Sequence, residues 1–312
     1  RDLHYPLRRQ RQMCIRDRSQ AVRLSDLILF DTLDLQVKRV VEGFILGLHS
    51  SPYHGFSVEF SQHKAYNPGD DIRRLDWKVF GRTNRYYIRQ YEQDTNLTAY
   101  LLVDASRSMA FGTPFSKFFA ASVITASLAM LLVRQNDAAG LCLFQDRLVK
   151  IMPPKAVQSY PFEIMKVLSG VNVEGKTGTS SALHQLAEMI THKGLIILIS
   201  DLFDDENEIL NGIRHFRHYG HEVIVIHIWH QDEIELKHRK KTEFIDMETG
   251  EKLKADNRRI RDDYTLTQQK LRHFYLERLG DMGVDYLFFR TDDDLRTVSV
   301  SYTHLRAHET VL

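Results

Sequence analysis

From Thr98 onward, short continuous apolar runs alternate with stretches whose apolar residues recur at helical spacing, and this alternation is what most narrows the possible folds. "TAYLLVD", "AGLCLFQD", "LIILISD", "EVIVIHIW" and "VDYLFFRT" read as strands buried on both faces. "SKFFAASVITASLAMLLVRQN", "YPFEIMKVLSG", "SALHQLAEMITHKG", "NEILNGIRHFRHYG" and "LTQQKLRHFYLERLGDMG" read as helices. Gly194 is expected to cap the third of these helices at its C-terminus. "LVKIMPP" pairs with the strand before it around Gln145, Asp146 and Arg147, and "FIDMETGEKLKA" forms a hairpin around Glu248, Thr249 and Gly250. Apolar strands that alternate with helices need cover on both faces, so the fold class is α/β, a doubly wound and mostly parallel sheet.

Composition excludes several function classes. The chain has 312 residues, 43% hydrophobic and 27% charged, which suits a globular protein with a substantial core. Lys and Arg number 42 against 41 Asp and Glu, a net charge of +1, so no global field favours nucleic acid or an anionic membrane. The two cysteines, Cys14 and Cys142, fit no metal spacing and suit a reducing, cytoplasmic setting. The longest apolar runs, such as "LIILIS" and "VIVIHIW", are far shorter than the roughly 20 residues of a membrane helix, so no span is expected.

The organisation along the chain follows from the same patterns. Residues 1–18 ("RRQRQMCIRDR" among them) and 300–312 ("SYTHLRAHET") look like translated sequencing-adapter read-through and are set aside. Residues 19–96 carry few strand-like runs and many charges, and form a smaller N-terminal domain or arm. Residues 97–299 form the α/β domain, with a polar insertion over about 231–262.

In doubly wound sheets ligands bind beyond the carboxyl ends of the strands. Asp104 and Asp201 each stand at such an end. Asp104, Ser106 and Ser108 form a D-x-S-x-S run whose carboxylate and hydroxyls are hard oxygen donors, a set that suits Mg²⁺, with Mn²⁺ as a substitute. "GKTGTSSAL" supplies Thr177 before a helix, with Thr179 as the other threonine, and "ISDLFDD" supplies Asp201. This set, in this order, resembles the metal-ion-dependent adhesion site of von Willebrand factor A domains.

"GFSVEFSQHKAYNPGDDIRRLDWKVFGRTNRYYIRQYEQDTN" extends the match. It resembles the bacterial domain of unknown function 58 proteins, which carry a von Willebrand A-like domain and are commonly encoded beside MoxR-type AAA+ ATPases. The resemblance implies a non-enzymatic, Mg²⁺-dependent adaptor or chaperone-like module that works with such an ATPase on client proteins. Arg73, Asp76, Trp77, Arg82 and Arg89 lie in the matching segment. They are either an ion-paired stabilising network or, with the solvent-facing Arg107, a partner-binding surface. The alternative function is a metal-dependent phosphotransferase or phosphatase. Ser106 stands where that chemistry wants a second acid, and no Lys or His holds an obvious general-acid position. No phosphate-cradling glycine loop occurs. His215, His218 and His221, spaced i, i+3, i+6, cannot share one helical face, so they are not expected to bind a metal together.

Overall fold

The computed structural model describes residues 23–27, 33, 37, 40–41, 63–65, 80–82, 86–89, 97–173, 178–235, 241–245, 252–295 and 297–298. Two short strands, β1 (His63–Ala65) and β2 (Tyr87–Arg89), pair antiparallel. The main body then runs β3 (Thr98–Asp104), α1 (Lys117–Arg134), β4 (Ala138–Phe144), β5 (Leu148–Lys155), α2 (Tyr160–Ser169), α3 (Thr179–Met189), β6 (Leu195–Ser200), α4 (Glu206–His218) and β7 (Glu222–Trp229). A short helix α5 (Gln231–Glu235) leads to the hairpin β8 (Lys241–Ile245) and β9 (Lys252–Asp256), then α6 (Asn257–Asp281) and β10 (Asp285–Arg290).

The central sheet has the order β10-β7-β6-β3-β4-β5. Every pairing is parallel except β4 with β5, the tight connection the sequence signals at Gln145–Arg147. Period-two alternation sorts the strand residues onto two faces. Leu101, Val103, Ile197 and Ile199 pack with α1 and α2, whereas Leu102, Ile196, Leu198 and Val225 pack with α3, α4 and α6. Each face therefore has its own core, as a doubly wound sheet requires. Leu24, Val37, Val40 and Val41 join the α1 side, so these residues of the N-terminal region pack into the main core.

Helix α1 is apolar nearly all round because it lies between the sheet and α2. By length and composition it would suffice to cross a membrane, which the strand runs alone do not suggest, but 89% of it is buried inside the protein. The Ser116 hydroxyl accepts from Phe119 N at 3.1 Å and caps its start. Asp205 caps α4 in the same way, accepting from Asn207 N and Glu208 N at 3.0 Å each.

One sequence expectation fails. Helix α3 stops at Met189, so Gly194 does not cap it. Gly194 instead lies against β3, where a Cβ would come 2.3 Å from Thr98 O, and close backbone approach is the reason for glycine. Helix α6 also starts at Asn257, well before the apolar period becomes visible at Leu266.

Leu101 is fully buried at the middle of β3. Leu101→Ala is expected to cost about 2–5 kcal/mol of unfolding free energy, read as a lower urea midpoint at unchanged slope.

Candidate functional site

The site is built where β3 and β6 end side by side. β3 terminates in Asp104, and the Ala105 amide still donates to Phe144 O on β4 at 2.8 Å, which holds the strand end rigid. The chain then turns through a short 3₁₀ segment, Arg107–Ala110, anchored by the buried Met109. This turn brings the Ser106 amide back to Asp104 Oδ1 at 2.8 Å. It also sets the Ser106 and Ser108 hydroxyls 3.0 Å apart.

The second carboxylate oxygen of Asp104 accepts from Ser200 Oγ at 2.6 Å and from Thr179 Oγ1 at 3.4 Å. Ser200 is the last residue of β6 and Thr179 the first of α3. Thr179 is thus the described threonine at the site. Thr177 lies outside the described residues. Asp104, Ser106, Thr179 and Ser200 are all fully buried. Burial first, and the nearby Asp201 charge second, push the Asp104 carboxyl up to about 6 against the pull of its hydrogen bonds.

Asp201 follows Ser200 and is held from three sides. Its Oδ2 meets the Lys117 ammonium at 2.8 Å, and its Oδ1 accepts from Phe203 N at 3.3 Å. Its carbonyl accepts from His227 Nε2 at 2.9 Å and from Trp229 Nε1 at 3.4 Å. Burial lowers the His227 pKa to about 3, so the ring is neutral. Nε2 therefore carries the proton, and Nδ1 accepts from Tyr286 OH at 2.7 Å. Leu202 adopts φ +54°, stabilised by its amide donating to Ser200 Oγ at 3.0 Å and by Tyr275 OH on its carbonyl at 3.4 Å.

Lys117, at the start of α1, is the residue the sequence reading missed. It is fully buried and also contacts Glu233 Oε1 at 2.6 Å, while the Phe203 ring lies 4.8 Å from its nitrogen. Burial pulls the ammonium pKa down, but Asp201 and Glu233 more than reverse this, so Lys117 stays charged. Glu233 is oriented in turn by the His230 amide at 2.9 Å. The sequence signal was faint: a lysine at the first position of a helix whose next four residues, Phe118 to Ala121, are apolar.

The other expected residues divide plainly. Arg107 is exposed beside the Asp104 loop, as expected. Arg82 is exposed, Arg89 ends β2, and Arg73, Asp76 and Trp77 lie outside the described residues. His221 is buried with Nε2 against Ile190 O at 3.1 Å, so His215, His218 and His221 do not converge. Among the described residues no group of three His, Cys, Asp or Glu side chains is placed to hold a metal.

Asp104, Ser106 and Ser108 do offer oxygen donors, the type that a hard cation takes. Adjacent corners of an octahedron with bonds of about 2.1 Å lie about 3.0 Å apart, and the Ser106 and Ser108 hydroxyls have that separation. Asp201 and Glu233 bring two carboxylates against the one ammonium of Lys117, and the Asp201 charge also acts on Asp104.

The sequence model of the family described as "Protein of unknown function DUF58" matches residues 62–273, more than half of the chain. The chain belongs to the DUF58 family. It is similar to the uncharacterized proteins Mb1516 of Mycobacterium bovis and Rv1480 of Mycobacterium tuberculosis, each 26% identical over 273 residues, covering 84% of both chains. Among solved structures it is similar to an aerotolerance-related membrane protein from Bacteroides fragilis, with 14% identity and a TM-score of 0.46. That match covers 67% of this chain and 97% of the other. It is also similar to BatB from Bacteroides thetaiotaomicron, with 12% identity, a TM-score of 0.42, and coverage of 68% and 99%.

The raised Asp104 pKa has a definite sign in stability. The unfolded carboxyl titrates near 3.8 and the folded one near 6, so the folded state binds more protons between these values. Ionised Asp104 thus destabilises the metal-free fold above about pH 6, by an amount on the order of 2–3 kcal/mol. In EDTA, Asp104→Asn is expected to be more stable than wild type at pH 8, with the difference shrinking towards pH 4. Chemical denaturation across that range checks it, and a pH-independent difference would contradict it.

Proposed function

We propose that this DUF58 chain is a non-enzymatic, divalent-cation-dependent protein-binding module. In this reading Mg²⁺, or Mn²⁺ in its place, is held by Asp104, Ser106, Ser108 and Thr179, with Asp201 behind them on Lys117. The cation would supply an electrophilic position for an acidic side chain of a partner. The partner proposed is a MoxR-type AAA+ ATPase and its clients in the cytoplasm, as the sequence resemblance implies. The supporting observation is the 3.0 Å spacing of the two serine hydroxyls beside a carboxylate that is buried, ordered by three donors and short of positive charge.

The phosphotransferase reading gains one element it lacked, because Lys117 stands beside Asp201. That ammonium is buried and shared between two carboxylates, so it has no free path to a substrate oxygen. Ser106 still stands where that chemistry wants a second acid, and its amide donates to Asp104 Oδ1.

A cation bound only by the folded state raises the melting temperature by linkage. Mg²⁺ and Mn²⁺ are expected to stabilise wild type, to leave Asp104→Ala unmoved, and to act more weakly on Thr179→Ala. The co-expressed ATPase is expected to co-purify with wild type in Mg²⁺ and to be lost in EDTA. An equal metal response in Asp104→Ala would overturn the site, and ATPase retention in EDTA would overturn the cation's role in binding.

A further inference from the structure

Helices α3 and α4 pack side by side on the sheet face away from α1, and they approach unusually closely at one point. Gly212 of α4 lies under Leu183 of α3, where a Cβ on the glycine would come 2.8 Å from Leu183 Cβ. One residue further along α3 is His184, and one turn further along α4 is His215. The close approach brings these two imidazoles together, with Nδ1 to Nδ1 at 3.1 Å, ring centroids 4.6 Å apart and planes at 69°. His184 is half-buried and His215 exposed, so the pair is reachable from solvent.

Without a ligand, one Nδ1–H donates to the other Nδ1. The same spacing serves a second purpose. Two imidazole nitrogens bound to one ion at about 2.05 Å, with an angle near 100° between them, lie about 3.1 Å apart. We propose that His184 and His215 form a two-imidazole binding site for a borderline divalent transition cation of the Cu²⁺, Ni²⁺ and Zn²⁺ class. Imidazole nitrogen selects such ions over Mg²⁺, so this site is chemically separate from the oxygen cluster around Asp104. No third His, Cys, Asp or Glu among the described residues completes the set, so water fills the remaining positions. A site with two protein ligands exchanges its ion, and Cu²⁺ binds most tightly.

The location gives such an ion a mechanical consequence. Helix α3 begins at Thr179, which reaches Asp104, and α4 follows directly on the turn after Asp201. An ion bridging His184 and His215 cross-links the two helices that begin at the two halves of the oxygen site. The inference stands on the helix pairing alone and holds whether or not Asp104 binds a cation.

The test is Cu²⁺ titration of the untagged full chain after EDTA stripping, followed by calorimetry and by electron paramagnetic resonance, which counts coordinated nitrogens. Wild type is expected to take up one Cu²⁺ with two imidazole nitrogens and to melt at a higher temperature. His184→Ala and His215→Ala should each weaken binding at least ~10-fold, whereas Asp104→Ala should bind Cu²⁺ as wild type does. An unchanged spectrum and affinity in either histidine variant would overturn the shared site, as would the absence of uptake by wild type. Metal-free melting of each variant, expected to match wild type, separates lost ligation from lost folding.

Discussion

The constraint on which the rest of the site depends is a carboxylate sealed at the end of the central strand. Asp104 has no contact with solvent, so its charge must be met by donors that the fold itself delivers. Those donors come from three elements: the Ser106 amide from the turn, the Ser200 hydroxyl from the neighbouring strand and the Thr179 hydroxyl from the start of α3. Parallel registry of β3 with β6 is what places Ser200 beside Asp104. Each donor is neutral, so burial still outweighs the hydrogen bonds and the carboxyl resists ionisation.

Lys117 addresses the other half of this charge imbalance. It neutralises Asp201 and Glu233 in part, and it joins α1, the β6 terminus and α5 through one ammonium. A buried pair of this kind contributes little net stability over an apolar substitute, but removing one member leaves an uncompensated charge. Its consequence is geometric: Asp201 is turned towards Lys117 and Phe203 N, and not freely towards Asp104. Behind it His227, Trp229 and Tyr275 fix the same loop by its carbonyls and not by its side chains, and Tyr286 orients the His227 ring.

Much of this was legible in the sequence because it is carried by local patterns. Uninterrupted apolar runs gave the strands, helical spacing gave the covering helices, and Asp104, Ser106, Ser108 and Asp201 were visible as polar residues at strand ends. What stayed hidden depends on contacts between distant segments. Lys117 and Glu233 are separated by 116 residues, and nothing near either announces the other. His227 and Trp229 read as ordinary members of an apolar strand, and only tertiary packing turns their ring N–H groups onto the Asp201 carbonyl. His184 and His215 sit on separate helices, so scanning one helix for metal spacing overlooks the pair. The misplaced end of α3 has a similar cause, because Gly194 answers to a neighbouring strand and not to its own helix.

The central claim is that the oxygen cluster at the end of β3 is a hard-cation site, and crystals of the chain grown with Mn²⁺ test it most directly. The account predicts an anomalous peak at the manganese edge within bonding distance of Ser106 Oγ and Ser108 Oγ and next to Asp104, with Lys117 still on Asp201. A map with no anomalous density there at saturating Mn²⁺, or with the ion bound only elsewhere, would contradict it.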